Sequence, residues 1–527
     1  MPPPRTQLYA GSAGIFLHNL ILGACRRNHA KPAIIDTSEV GRAGFVRLTY
    51  AEYGEILERL SRGLVGVGVK PGDVIAIYLP NCWEFCATYH AATMAGAIPT
   101  PLNPSYRERE VRYQLEDSGA SLLITDAPLI ENMDLSGLPE LRRVYLTREP
   151  VAAAIDSRPF RDLLRVIHSP LPEPEPPEQT IAVLPYSSGT TGMPKGVMLS
   201  HTNLVTNIFQ LIPAATFPPH DVTLCFLPLY HIYGLNVVLN PMLSIGATLV
   251  LMPRFDLECA LDLITRESIS YIPMVPPILN AFCQAAEQGK FPANHRIRAV
   301  KSGAAPLPPD LPRRFTELTG IRLAQGYGMT EASPVTHIGF LEDPHYCPES
   351  IGGPVALTDC RIVGEDESEL PTGQPGELVM RGPQFMMGYW KSPEATAAVL
   401  RDGWYWSGDV ARVDENGFYW IVDRRKEMIK YKGFAVAPAE VEAVLMEHPA
   451  VLDCGVVGRP DQAAGEVPCA FVVLRDGTSA QPSESDLTSY VAERLTGFKQ
   501  PREVRFVSAI PRTPSGKILR RELRKLL

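Results

Sequence analysis

Positive charge is in short supply: Lys+Arg 50 stand against Asp+Glu 58 in 527 residues, a net charge of -8. No sequence-wide basic field exists to hold a nucleic-acid backbone, so a polyanion is not the expected partner. Cysteine is scarce as well. Ten in 527 residues, with Cys82 and Cys86 the closest pair and no CxxC, exclude a disulfide scaffold and a zinc-ligand pair; reduced, mostly buried thiols are expected. Long apolar runs are missing too. The most apolar stretch, Leu235 to Met252, is interrupted by Asn236, Asn240, Pro241 and Gly246, short of the roughly 20 uninterrupted apolar residues of a spanning helix. Met1 to Arg5 lacks the basic start and apolar stretch of a signal peptide. The final Arg524-Lys525-Leu526-Leu527 is not a Ser-Lys-Leu address. A cytoplasmic location is expected. No repeat with a period of roughly 20 to 50 residues is visible, which excludes a solenoid.

What is present is 45% apolar residues, enough for sizeable cores in the three or four units that roughly 150 residues per domain predicts. Prolines are scattered, except in Ser169 to Glu178, which has to run extended as a linker. Before it, Asp73 to Leu79 and Ala97 to Thr100 read as strands, Trp83 to Ala95 and Arg107 to Asp117 as helices. After it, Ile181 to Pro185, Thr223 to Leu227 and Thr248 to Met252 are short apolar runs separated by helix-length segments, the pattern of parallel sheets with crossover helices. From about Gly376 the texture turns β-rich, as in Gly376 to Arg381 and Gly417 to Val422. The charged run beginning at Asp423 then separates a small α+β unit of about 100 residues: Pro438 to Met446, with proline at a helix start, then Val451 to Val457, Ala470 to Leu474, Asp486 to Leu495 and Glu503 to Val507. The expected fold is therefore α/β: a large N-terminal domain, 1–422, of layered α/β subdomains with a β-rich piece; a hinge, 423–426; and a small α+β domain, 427–527.

The segment with the clearest chemistry is Tyr186-Ser-Ser-Gly-Thr-Thr-Gly-Met-Pro-Lys-Gly-Val197, directly after a predicted strand and expected to lead into a helix. Hydroxyls and backbone N–H groups at Ser187, Ser188, Gly189, Thr190 and Thr191 can wrap anionic oxygens, and Lys195 adds a mobile point charge. It is not a Walker loop, since Pro194 precedes the lysine and Gly196 follows it. The second segment, Leu323-Ala-Gln-Gly-Tyr-Gly-Met-Thr-Glu331, sets an aromatic, a hydroxyl and a carboxylate on one turn. Tyr327 can stack on a base, Thr330 can bond a phosphate and Glu331 can hold Mg²⁺.

Together these segments resemble the adenylate-forming superfamily, and within it the acyl-CoA synthetases similar to 4-coumarate:CoA ligase and firefly luciferase. Pro228 to Gly234, Lys301 to Pro306, Gly403 to Asp409, Asp423 to Phe434 and Pro514 to Lys517 follow in the family's order, from about residue 30 to the end. The resemblance implies ATP, Mg²⁺ and coenzyme A as cofactors and substrates. It implies that Ser187 to Thr191 and Lys195 hold the triphosphate, that Gln325, Gly326, Tyr327 and Thr330 line the adenylate, and that Glu331 carries the metal. Asp409 would accept from the ribose hydroxyls with Arg424 beside it, Lys430 would help place the adenylate, and Lys426 would be the hinge. Lys517 would be the mobile catalytic lysine between the carboxylate and the α-phosphate, and His231 a gate beside the carboxylate. Arg254, Lys432 and Gly433 match CoA contacts. The small domain would swing between two half-reactions, adenylation and thioester formation.

By the same resemblance Tyr233, Gly234, Val237, Gly303, Ala304, Pro334 and Val335 line the acyl pocket. None is charged, which disfavours an amino-acid substrate, whose buried ammonium needs a carboxylate partner. Gly234 is expected to leave space for an aryl ring or a medium-to-long chain. Ala435 departs from the family pattern, where glutamine commonly follows Lys-Gly-Phe in 4-coumarate ligases. The expected activity is ATP-dependent conversion of a hydrophobic acid, aryl or fatty, to acyl-AMP and then to acyl-CoA, by a monomer or homodimer with no membrane span. An adenylate-former that passes the acyl group to a carrier protein or an amine, or that works as luciferase does, is the competing reading. A silent nucleotide-binding protein is the third.

Overall fold

The computed structural model describes residues 14–38, 45–148, 157–165, 168–173, 175–187, 193–215, 217–305, 307–308, 310–343, 345–432, 434–462, 464–475, 481–513 and 516–527. Ser188, Gly189, Thr190, Thr191 and Gly433, with Pro514 and Ser515, therefore lie outside the described residues.

Two parallel sheets form the body. The larger has nine strands, with Tyr271–Met274 at its centre between Val222–Cys225 and Ala299–Ser302. It is parallel from Pro32–Asp36 to Leu323–Gly328 and antiparallel at both margins. The second sheet orders Ile98–Pro101, Val74–Tyr78, Ala120–Thr125, Arg143–Leu146 and Ser157–Pro159, all parallel. Val74–Tyr78 is buried along its whole length, as a strand covered on both faces must be, and this explains its unbroken apolar run. The helix Trp83–Met94 is buried at every residue from Phe85 onward; a helix apolar all round has to lie inside, packed on several sides.

Ile181 to Pro185 departs from the expected parallel pattern. The strand Ile181–Val183 pairs antiparallel with Lys195–Ser200, which also carries Tyr186–Ser187 and Gly388–Tyr389. The β-rich piece is an antiparallel sheet in which Trp404–Val413 lies between Gly376–Arg381 and Tyr419–Arg424. Asp423 and Arg424 are thus strand residues, and the charged run leaves the sheet only after them.

From Ile429 onward the chain builds a sheet of its own, Ile429–Tyr431, Phe434–Val436, Val451–Asp461, Gly465–Leu474 and Glu503–Phe506. Its apolar clusters, one around Val441, Val456 and Val472 and one around Phe471 and Leu523, share no residue with the clusters before it. Contacts among the described residues tie it to the body. Asp423 Oδ2 accepts from Ala439 N at 2.8 Å, at the start of the helix Pro438–Met446, and Gly516 lies so close that a Cβ there would stand 3.0 Å from Pro277 Cδ.

Candidate active site

The carboxyl end of a parallel strand is where an open α/β sheet exposes backbone and side chains to a ligand. Leu323–Gly328 runs out into such a crevice. At its end a Cβ on Gly328 would stand 1.9 Å from the carbonyl oxygen of Pro334, so only glycine fits and the chain turns at once into the short helix Thr330–Ala332. Tyr327, one residue earlier, donates its hydroxyl to Asp409 Oδ2. Arg424 lies directly opposite Asp409 in the antiparallel register and holds Oδ1 through Nε at 2.7 Å. Burial, and then the Asp409 charge, push the Tyr327 phenol well above its ordinary range, so it stays a donor.

Tyr327, Thr330, Glu331, Arg424, Ser187 and Lys195 line a cavity of about 1580 Å³; Asp409 stands behind Tyr327 and Arg424 and is not among the residues that line it. The phosphate segment enters it as a hairpin, not as the expected strand-to-helix turn: Lys195 pairs with Ser187 and Gly196 with Tyr186, and the helix His201–Ala215 begins only after Lys195–Ser200. The stem is clamped from one helix, Glu108–Ser118. Tyr113 donates to Pro194 O at 2.9 Å and Tyr186 donates to Asp117 Oδ2 at 2.5 Å; Tyr113 and Asp117 are four apart and share a helical face. Glu331 accepts from Tyr389 OH at 2.8 Å, and Lys195 Nζ stands 5.5 Å from the centre of the Tyr389 ring.

The C-terminal unit closes the cavity with Lys517, Arg512, Thr513, Lys430 and Glu466. Lys517 N donates to Thr513 Oγ1 at 3.0 Å, while Arg512, paired with Asp453 at 2.6 Å, donates to Gly516 O at 2.7 Å. The loop that carries Lys517 is therefore held at its base. Burial, and then the charge of Arg424, lower the Lys517 ammonium to about 8. Lys426 also lines the cavity and is lowered by burial first and Arg424 second.

At the other end the wall includes His231, Tyr233, Val237, Gly303, Ala304, Pro334 and Val335. His231 Nδ1 accepts from Tyr233 N at 3.2 Å; burial, then the Lys517 charge, bring the imidazole to about 4, so it is neutral. Arg254 and Lys432, the expected CoA contacts, are exposed and stand outside the residues that line the cavity. Three expectations change. Gly234 does not leave space for the acid, because a Cβ there would stand 2.3 Å from Pro228 O: the backbone itself needs the room. Gln325 turns away and donates its amide to Pro348 O at 2.5 Å; Gly326, next to it, does line the cavity. Nor is the acyl wall uncharged. Lys301 lines it, buried, with Nζ donating to Gly339 O at 2.9 Å and its ammonium lowered by burial to about 8. Sequence reasoning also passed over Tyr271, Ser302 and Leu211, which line the same end; the first two lie on uniformly buried strands and Leu211 on the helix His201–Ala215, and one apolar run looks like another until the cavity face is known.

The donor set suits a triphosphate with its metal. Glu331 offers one carboxylate, and no cluster of three or more His, Cys, Asp or Glu occurs among the described residues; Mg²⁺ is commonly held by one or two carboxylates together with substrate phosphates.

The comparisons agree with this chemistry. The description "AMP-binding enzyme" matches residues 23–390 and "AMP-binding enzyme C-terminal domain" matches 440–517. 4-Coumarate--CoA ligase 1 of Arabidopsis thaliana is 38% identical over 540 residues, covering 97% of this chain and 92% of that protein. 4-Coumarate--CoA ligase 3 of Oryza sativa subsp. japonica is 39% identical, covering 94% and 90%. Among solved structures, ATP-bound MatB from Rhodopseudomonas palustris superposes with a TM-score of 0.86 at 28% identity, covering 97% of this chain and 98% of that one. The anthranilate CoA ligase AuaEII with anthranoyl-AMP also gives 0.86, at 27% identity, covering 98% and 97%. The chain belongs to the family of AMP-binding enzymes.

Proposed function

We propose that the chain is an AMP-forming acid:CoA ligase that activates a hydrophobic carboxylic acid with ATP and passes the acyl group to coenzyme A. The observation that carries the reading is the convergence of Lys195, Glu331, Arg424 and Lys517 on one cavity whose far end is mostly apolar, with Asp409 held directly behind Arg424. The carboxylate oxygen attacks the α-phosphorus as the bond to the β-phosphate oxygen breaks and pyrophosphate leaves, so the protein has mainly to hold two anions together and offset their charge. Lys195 and the backbone of its hairpin take the β- and γ-phosphates, Thr330 and Lys517 the α-phosphate, and Asp409 the ribose hydroxyls. Glu331 would hold Mg²⁺, whose charge offsets that on the phosphates. Neutral His231 lies beside the carboxylate without adding a charge. In the second half-reaction the CoA thiol gives up its proton, its sulfur bonds to the acyl carbon, and the mixed anhydride opens to release AMP.

The reading includes a division into an adenylation domain, 1–422, a hinge at 423–426 and a mobile domain, 427–527, supported by the separate apolar clusters after Ile429. It includes cytoplasmic action, supported by ten free cysteines; no helix among the described residues is long and apolar enough to cross a membrane. The names of the relatives favour an aryl acid such as 4-coumarate and favour CoA over an amine or carrier protein. Pyrophosphate release is measured across acetate, octanoate, palmitate, benzoate and 4-coumarate, with and without CoA. The expected result is CoA-dependent thioester from an aryl acid; adenylate formed without CoA consumption would overturn the acceptor, and release with palmitate alone would overturn the acid.

A further inference from the structure

Tyr271 is the first residue of the central strand Tyr271–Met274. That strand runs parallel to Ala299–Ser302, with Tyr271 opposite Ala299 and Met274 opposite Ser302. Gly303, which follows Ser302, stands at the carboxyl edge of the sheet, in the wall of the acyl end of the cavity. Tyr271 therefore sits three residues back from that edge, roughly 10 Å along the strand, yet it lines the same cavity together with Leu211. Its ring packs at 4.8 Å on Phe217 and it is 1% exposed. This is the floor of the acyl end.

The hydroxyl of Tyr271 is buried and has no hydrogen-bond partner among the described residues. Such a group costs free energy unless something supplies a partner. Thr223 Oγ1, opposite Tyr271 in register, is likewise without a partner among the described residues, and Arg298 and Asp221 are paired with each other. Lys301, two residues on from Ala299 and so on the same face, is spent on Gly339 O. Ser302 Oγ, also without a partner, belongs by alternation to the opposite face, and Tyr233 donates its hydroxyl toward Lys301 O at 3.3 Å.

We infer that Tyr271 is a specificity-determining residue: it ends the acyl pocket and pairs its hydroxyl with a hydroxyl at the far end of the acid, selecting a hydroxylated aryl acid over an unsubstituted ring and over a long alkyl chain. The inference rests on the ligase reading and names the acid class for that site. A Tyr hydroxyl can donate or accept, so it suits a phenol in either role. A site built to bond a substrate hydroxyl discriminates against the analogue that lacks it, because its own polar group is then left unpaired.

The test compares 4-hydroxycinnamate with cinnamate, which differ only in that hydroxyl, in the full-length enzyme and in Tyr271→Phe, which keeps the ring. The wild type should prefer 4-hydroxycinnamate about tenfold in kcat/KM, mostly through KM, and Tyr271→Phe should bring the ratio close to one by weakening the hydroxylated acid and improving cinnamate, which no longer leaves a hydroxyl unpaired. A ratio that survives the substitution, or a wild type indifferent to the hydroxyl, would overturn the assignment. Tyr271→Ala supplies a second readout: it should improve octanoate and longer acids relative to the wild type, and an unmoved chain-length profile would count against Tyr271 as the floor. Turnover in these assays with an unchanged ratio sinks Tyr271 alone, whereas no pyrophosphate release from any acid overturns the ligase reading with it.

Discussion

Arg424 Nε stands 2.7 Å from Asp409 Oδ1, across a register in which the two residues are direct partners on neighbouring antiparallel strands. The second oxygen takes the hydroxyl of Tyr327, so two neighbouring strands and a residue about eighty positions earlier fix one buried carboxylate just behind the cavity wall that Tyr327 and Arg424 form. A carboxylate oriented in advance is what two ribose hydroxyls need, since little ordering is left to be done when ATP binds.

Asp409→Ala is therefore expected to cost ATP use roughly 1.5–3 kcal/mol, the range of a charged hydrogen bond, as a raised apparent KM for ATP in pyrophosphate release. Formation of thioester from presynthesised acyl-AMP should weaken too, because AMP carries the same ribose. Unchanged ATP affinity would remove Asp409 from the ribose contact.

Lys517 supplies a pH limb. Burial and the neighbouring Arg424 bring its ammonium down to about 8; the charged form stabilises the α-phosphate, so adenylation needs the proton. As pH rises through about 8 the free enzyme loses that charge, and kcat/KM for ATP should fall with it. Lys517→Ala should reduce adenylation by roughly 10²–10³, the scale of one lost electrostatic donor, and abolish the limb. Thioester formation from supplied acyl-AMP should lose far less, and equal loss in both half-reactions would contradict the role.

How much of this was legible beforehand differs by residue. The apolar run in Val74–Tyr78 and the proline opening Pro438–Met446 declared themselves, because local pattern and final environment agree there. The segment around Lys195 announced its chemistry but not its shape: nothing local distinguishes a hairpin stem from a strand-to-helix turn, and the antiparallel partner Gly388–Tyr389 arrives about two hundred residues later. Gly234 was misread because a small residue can serve a ligand or its own backbone, and the close Pro228 carbonyl decides which. Lys301 and Tyr271 were passed over since their strands are uniformly buried; which face meets the cavity is set by the sheet order, which lies beyond local pattern.

The clamp on the phosphate hairpin has its own consequence. The stem has two residue pairs, Lys195 with Ser187 and Gly196 with Tyr186, and so short a ribbon is marginal without support. Tyr113 and Asp117 supply it at 2.9 and 2.5 Å. Asp117→Ala and Tyr113→Phe should each raise KM for ATP by about fivefold, roughly 1 kcal/mol, leaving KM for the acid unchanged. Thioester formation from acyl-AMP, which has no β- or γ-phosphate, should be untouched. Tyr186→Phe with Asp117→Ala should cost no more than either alone, because they break the same bond; additive losses would show two separate effects.

The last prediction concerns acid. His201 Nδ1 accepts Leu17 N–H at 3.1 Å, tying down the start of the helix Leu17–Arg27, and it can do so only when that nitrogen is unprotonated. His18 lies beside it, ring centres 5.5 Å apart. Burial, followed by the charge of His18, lowers His201 to about 3, and burial lowers His18 to about 4. In the unfolded chain both titrate near 6.5, so between about 6.5 and 4 the unfolded state binds more protons than the folded one. Stability from these groups is complete above 6.5 and drains away as pH falls through that window. The melting temperature should therefore drop between pH 6.5 and 4. His201→Asn places an untitratable amide oxygen where Nδ1 stood, and its profile over the same window should be flatter, with little change at pH 8. A slope identical to that of the wild type would mean that buried His201 does not contribute to the acid sensitivity of the fold.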